Sequence, residues 1–284
     1  MEAEVPTRTV VEALVRPDGV VRGHELYEVA GKLGMTDQQV RLCVKRMVAE
    51  GRFSQEGRGR SAVLRMTPEA MRAAEPDVEF VRFMYRQDAG EIPWDGVWHL
   101  VAFAVPESRR SARDGLRDAL IRFGGAALHT GLYVSPHDWE ELVEGEAEHL
   151  GVEEHVTYLT TSDLRVGGEA DPAVLAPGLW PLEEIARRHR RLADVASSRL
   201  RRLTSGEPLT RTDLLRIAVE LAAEFTRAVE PDPLLPPVML PDPWVGGQAR
   251  TLVARCWRTL AESTEDAPAL FRLYDELPEH AVAP

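Results

Sequence analysis

The residues best suited to chemistry in this 284-residue chain form no catalytic set but a row of hydrogen-bonding side chains. These are Gln38, Arg41 and Lys45, with Gln39 and Arg46 beside them, and then Arg58 and Arg60. Glutamine can pair with an adenine edge and arginine bidentately with guanine, while further arginines hold phosphate oxygens. Positions 38, 41 and 45 recur at helical spacing, so one face of a helix can carry all three. Val40, Val44, Met47 and Val48 fall on another face as an apolar stripe.

A device of this kind needs a helix that starts and stops cleanly. Thr36 and Gln39 have the spacing of a capping box, and Gly51 is placed to end the helix. Arg52–Gln55 and Ser61–Met66 are short enough to be paired strands. Between them, Glu56-Gly57-Arg58-Gly59-Arg60 offers glycines for a tight turn and arginines at its tip. Helix, glycine stop, hairpin and basic tip, in that order, predict the recognition helix and wing of a winged helix-turn-helix. Two earlier helices, Thr7–Val15 and Glu25–Leu33, would complete it. Winged helices also serve as protein-contact modules, and that alternative stays open.

Net charge is −12, which opposes nucleic-acid binding, but it is unevenly spread. Residues 1–66 carry 11 Lys/Arg against 9 Asp/Glu, and the remainder 23 against 37. Binding by such a chain must rest on local arginines and be sensitive to salt. No apolar run has membrane-spanning length and the first residues do not resemble a signal peptide, so a cytoplasmic location is expected. Cys43 and Cys256 are too few for a disulfide framework or a zinc ribbon.

Four segments are expected: a winged helix over 1–66, a connector over 67–93, an α+β domain over 94–170 and a helical domain over 171–284. In the connector, Pro68 starts a helix, Pro76 interrupts it and a second runs over Val78–Arg86. The third segment reads strand (Trp98–Val105), helix (Arg109–Phe123), strand region (Ala127–Ser135), helix (Trp139–Leu150) and strand (Val156–Thr160), a ferredoxin-like order. In the last, Leu182, Ile185, His189, Leu192, Ala196, Leu200 and Leu203 make one stripe from Pro181 onward. Helices are expected over Leu209–Val229, Gln248–Glu262 and Pro268–Leu277, with a proline-rich path after the first. Gly124-Gly125 and Gly246-Gly247 read as turns.

Three segments together resemble the PaaX family of bacterial transcriptional repressors: VRLCVKRMVAEGRFSQEGRGRSAVLRMT, the stretch DGVWHLVAFAV…GLYVSP over 95–136, and PDPLLPPVMLPDPWVGGQAR over 231–250. The resemblance implies a winged-helix domain, a central domain similar in fold to the Cas2 proteins and a helical C-terminal domain. It also implies a homodimeric repressor released by a small metabolite such as an acyl-CoA thioester. The sequence departs from the family at Ala223 and Thr226, where many relatives carry a His and an Arg, which sets the identity of the effector apart. Arg187, Arg188 and Arg191 are candidates for the phosphates of such an effector and Trp244 for its aryl group. A solvated helix face, a subunit interface and a C-terminal core are the competing roles for these residues.

The Cas2 likeness raises a divalent-metal nuclease as a further alternative. That chemistry needs a carboxylate at the end of the first strand, where Ala104 stands; Glu107 is alone. The histidines (24, 99, 129, 137, 149, 155, 189 and 280) show no ligand spacing, although His137-Asp138 can form half a site. No catalytic residue, metal site or cofactor is therefore expected.

Overall fold

The structure is a computed structural model; it describes residues 4–263 and residue 268, with the side chains of 75–78 left aside. By its contacts the chain forms two compact units. One comprises Met1–Ala89, Arg188–Ala228 and the segment from Val245 onward; the other comprises Gly90–Arg187 and Val229–Trp244. The linear segments expected from the sequence are thereby regrouped, because 171–284 contributes to both.

In the first unit, helices α1 (Thr7–Ala13), α2 (Gly23–Lys32) and α3 (Asp37–Ala49) pack together. Val10, Val11, Leu26, Val40 and Met47 are buried among the core residues. Strands β1 (Val20–Arg22), β2 (Phe53–Glu56) and β3 (Val63–Met66) form an antiparallel sheet in the order β1-β3-β2. β1 is too short to show a period in sequence; its pairing with β3, Val20 opposite Arg65, makes it a strand.

Helix α4 (Pro68–Asp88) runs unbroken through Pro76, which corrects the expected interruption. A proline deprives the carbonyl four residues earlier of its partner. Here that residue is Arg72, on the exposed side of the helix.

Helices α8 (Leu182–Leu203), α9 (Arg211–Val229) and α10 (Val245–Glu262) follow later in the chain. Their apolar stripes bury Leu192, Val195, Ile217, Leu221, Val253 and Trp257. Gly246 and Gly247, expected in a turn, lie inside α10, and a side chain on Gly247 would meet the Asp88 carboxylate at 3.5 Å. Arg250 forms a forked pair with Asp88 (2.5 and 2.6 Å) and accepts the Tyr85 hydroxyl on its carbonyl (3.0 Å), joining α10 to α4. The expected helix from Pro268, with Phe271 and Tyr274, lies outside the described residues.

In the second unit the elements are β4 (Trp98–Phe103), α5 (Arg110–Arg122), β5 (Ala126–His129), β6 (Leu132–Ser135), α6 (Glu140–Leu150) and β7 (Val156–Thr161). The strand region expected over Ala127–Ser135 is the pair β5 and β6. Gly131 (φ +77°) turns the chain, and a Cβ there would lie 2.6 Å from the Phe103 carbonyl. The antiparallel order β5-β6-β4-β7 is that of a ferredoxin-like βαββαβ unit.

Alternation along the strands separates two cores. Val101 and Tyr133 face α5 and α6 with Leu116, Leu120 and Val143. Trp98, Leu100 and Val134 face the other way, against helix α7 (Pro172–Leu179), Leu182, Ile185, Leu235 and Met239. The proline-rich segment thus places its leucines in a sheet core. Among the described residues no helix is long and apolar enough to cross a membrane.

Candidate nucleic-acid interface

α3 begins with the capping box that its sequence predicts. The Thr36 hydroxyl accepts the Gln39 N–H (3.2 Å), and the Gln39 side-chain oxygen accepts the Thr36 N–H (2.8 Å). Gln39 therefore turns back on its own helix terminus, and this capping role is the one the geometry displays for it. Val40, Val44 and Met47 point inward. Gln38, Arg41, Lys45 and Arg46 are exposed, as is Leu42 at 57%. Among the described residues Arg41, Lys45 and Arg46 make no ion pair.

The hairpin beside α3 is held by ladder pairs from Phe53–Met66 to Glu56–Val63. Gly57 (φ +76°) turns its tip, and the Gln55 amide donates to the Gly57 carbonyl (3.0 Å). A 3-10 turn over Gly59–Ser61 brings the tip against α2. There the Gly23 N–H donates to the Ala62 carbonyl at 2.7 Å. A Cβ on Gly23 would sit 2.7 Å from both the Ala62 and the Gly59 carbonyl oxygens, so the approach requires glycine.

The two tip arginines behave differently. Arg58 is exposed and has no ion pair among the described residues. Arg60 turns towards the protein, 3.5 Å from Asp37 and with its guanidinium 5.6 Å from the centre of the Tyr27 ring. Arg60 nevertheless stays 60% exposed, so this pairing leaves it within reach of a phosphate, as expected from the sequence. Arg60 links the tip to Tyr27 of α2 and to the start of α3 at the surface, and Arg58 has no such contact among the described residues.

Between α3 and the hairpin lies a cavity of about 610 Å³. Leu26, Val44 and Leu64 line it together with Arg41, Lys45 and Arg58. Tyr27 and Gln55 also line it. Neither was singled out in the sequence, since each becomes part of the groove only when the tip folds onto α2. Arg22, exposed at the end of β1, is a further cation on this unit that local sequence did not mark.

α2 is braced from behind by α9. Glu25 takes hydrogen bonds from Arg16 (2.9 Å) and Arg211 (2.8 Å), Thr212 donates to Glu28 (2.6 Å), and Lys32 pairs with Asp213 (2.9 Å). Burial would raise the Glu25 carboxyl, but the two arginines hold it below its ordinary value. Asp213 is likewise held down, by the Thr210 hydroxyl and Lys32.

Two segments match family models: residues 91–175 match the PaaX protein central Cas2-like domain, and residues 180–268 the PaaX-like protein C-terminal domain. The chain belongs to the PaaX family. PaaX domains are those of transcriptional regulators. No curated protein matches the chain. Among solved structures, the uncharacterized protein Rv0674 from Mycobacterium tuberculosis is similar in fold, with a TM-score of 0.59 and 21% identity. The match covers 91% of this chain and 97% of that one.

Within the PaaX C-terminal segment each residue expected at an effector site has its own partner. Arg187 pairs with Glu184. Arg188 donates to the Arg227 carbonyl (3.4 Å). Arg191 forms a fork on the buried Glu224 (2.9 and 2.8 Å). Trp244 packs against the sheet core of the second unit. His137, which the sequence offers as at most half a metal site, bonds to the Leu234 carbonyl (2.8 Å), while its neighbour Asp138 lies near His99 and Glu140.

Proposed function

We propose that this PaaX-family chain is a transcriptional repressor whose α1–α3 and β1–β3 form a winged helix-turn-helix. In this reading it works in the cytoplasm as a homodimer and leaves its operator when a small metabolite binds. The observation that carries the proposal is the outward side of α3. In a chain of net charge −12, it presents Arg41, Lys45 and Arg46 with no carboxylate partner among the described residues. Gln38 and Arg41 are assigned to base edges in the major groove, with Lys45 beside them and Leu42 suited to a thymine methyl. Arg46 and Arg58 are assigned to phosphates, and Gln39 and Arg60 to holding the head in shape.

Two such heads, one from each protomer, suit half-sites one helical turn apart, roughly 34–36 Å. An effector acts by preferring a protomer arrangement in which that spacing fails, which requires a real affinity difference between the two states. An acyl-CoA thioester or an aromatic acid is the proposed class; replacing Arg187, Arg188, Arg191 and Trp244 one at a time tests each as a contact. No reaction is assigned. Glu107 is engaged by Arg113 at 2.6 Å, and Ala104 supplies no ligand at the strand end.

The test is fluorescence anisotropy with the duplex upstream of the chain's own gene against a shuffled duplex. Preference for the upstream DNA, steeply weakened by salt, is expected. Equal and weak binding to both would overturn the DNA reading and favour a protein partner on the same face, where Leu42 would anchor it. A thermal-shift screen of acyl-CoA thioesters and aromatic acids then tests the effector, because a ligand of the folded state raises the melting temperature.

A further inference from the structure

The second unit holds a group of side chains that the regulatory reading leaves without a role. His99 lies on β4, on the side of the sheet that faces α5 and α6. Glu140 is the first residue of α6, and Asp138 stands two residues before it. One donor atom from each of the three lies within 4.8 Å of the others. His99 Nδ1 is 2.8 Å from Glu140 Oε1, and Glu140 Oε2 accepts the Trp139 N–H at 3.0 Å. His99 and Glu140 are largely enclosed, with side chains 13% and 23% exposed, while Asp138 is open to solvent.

Two neighbouring carboxylates repel unless they share a proton, as the hydrogen bond between Asp138 and Glu140 allows, or something positive lies between them. Among the described residues neither Asp138 nor Glu140 has a lysine or arginine partner. The surroundings deepen the deficit, since α6 also carries Glu141, Glu144, Glu146 and Glu148, and of these Glu146 is paired, with Arg122. A protonated His99 can offset one negative charge; a divalent ion offsets two and satisfies all three donors.

We propose that His99, Asp138 and Glu140 bind a first-row divalent transition ion of the zinc or manganese type. The donor set decides the class. One imidazole nitrogen with two carboxylate oxygens suits borderline ions, whereas calcium and magnesium favour all-oxygen sites. The geometry is already close. Two donors about 2.1 Å from an ion are roughly 3 Å apart when they meet it at a right angle, which is near the His99–Glu140 separation of 2.8 Å. Asp138, exposed on its loop, can swing in as the third ligand, and water completes the shell.

The ion would tie β4 to the start of α6. It would also stiffen the loop whose neighbouring His137 holds the Leu234 carbonyl.

The experiment uses the full chain, stripped with a chelator and titrated with zinc chloride by calorimetry, and with cobalt(II) as a visible-absorption probe. About one equivalent should bind, raise the melting temperature and give a cobalt d–d band. Asp138→Asn with Glu140→Gln should weaken zinc by about tenfold or more and abolish the band, a loss at least as large as that for removing supporting groups around a metal site. Both replacements are near-isosteric, and an unchanged far-UV spectrum of the metal-free variant establishes that it is folded. His129→Ala, at an exposed histidine on β5, should bind as the parent does. Absence of binding to the parent chain overturns the proposal. So does binding that survives the double replacement, or binding lost with His129 instead.

Discussion

Arg41 and Arg60 are both arginines on the same small module, yet they belong to different problems. Arg41 faces outward with no ion pair among the described residues; Arg60 lies over Tyr27 and beside Asp37. If Arg41 reads a base, Arg41→Ala costs about 1–3 kcal/mol of binding and relaxes preference at one operator position. Anisotropy across single-base operator variants measures this, and a uniform loss would move Arg41 to the phosphate contacts. For the tip, Arg58→Ala should reduce the slope of log affinity against log salt by about one contact. Arg60→Ala should change that slope less and lower the melting temperature more. Equal slope changes for the two would mean that Arg60 leaves Tyr27 when DNA binds. The outward set was legible in sequence because helical spacing alone separates positions 38, 41 and 45 from the buried Val40, Val44 and Met47. The fate of Arg60 was not, because its partners sit on two other elements.

Elements were legible where a local signal sufficed. Thr36 and Gln39 fix the start of α3, and the ferredoxin-like order follows from strands whose apolar residues alternate between two cores. Two misses share a cause, a tertiary contact overriding a local rule. β1 exists because β3 pairs with it, and Gly246-Gly247 stay helical where Asp88 approaches them. Pro76, by contrast, is accommodated within α4 as an ordinary helical residue. Gly23 makes the dependence measurable. Gly23→Ala forces a methyl against two carbonyl oxygens at 2.7 Å, an overpacking cost of about 1–3 kcal/mol. The melting temperature should fall by roughly 2–4 °C per kcal/mol, and DNA affinity should fall with it as the tip is pushed off α2. An unchanged melting temperature would mean that the 3-10 turn relaxes freely and does not lock the hairpin.

Across the whole molecule, charge is used twice, outward on α3 and inward along α9. Burial raises the Glu25 and Glu224 carboxyls, but hydrogen bonds from Arg16 and Arg211, and from Arg191 and Arg227, leave both below their ordinary value. A group with a depressed folded pKa binds protons more readily when unfolded. Its contribution is complete above the unfolded value of 4.5 and is lost as pH falls towards the folded value. Denaturant midpoints should therefore be level near neutrality and drop below about pH 4.5. Glu224→Gln should lower stability at pH 7 and shrink the acid-induced drop; an unaltered acid limb would remove Glu224 from the account. α9 also ties the first unit together across the sequence, since Arg211, Thr212 and Asp213 meet residues of α2 nearly two hundred positions earlier. A truncation ending at residue 89 would thus yield no faithful miniature of the first unit. Lys32 and Glu28 would lose their mates, Glu25 would keep one of two, and the flank that α9 shields would be left bare. Operator-binding constants taken from such a fragment would describe an unbuttressed object.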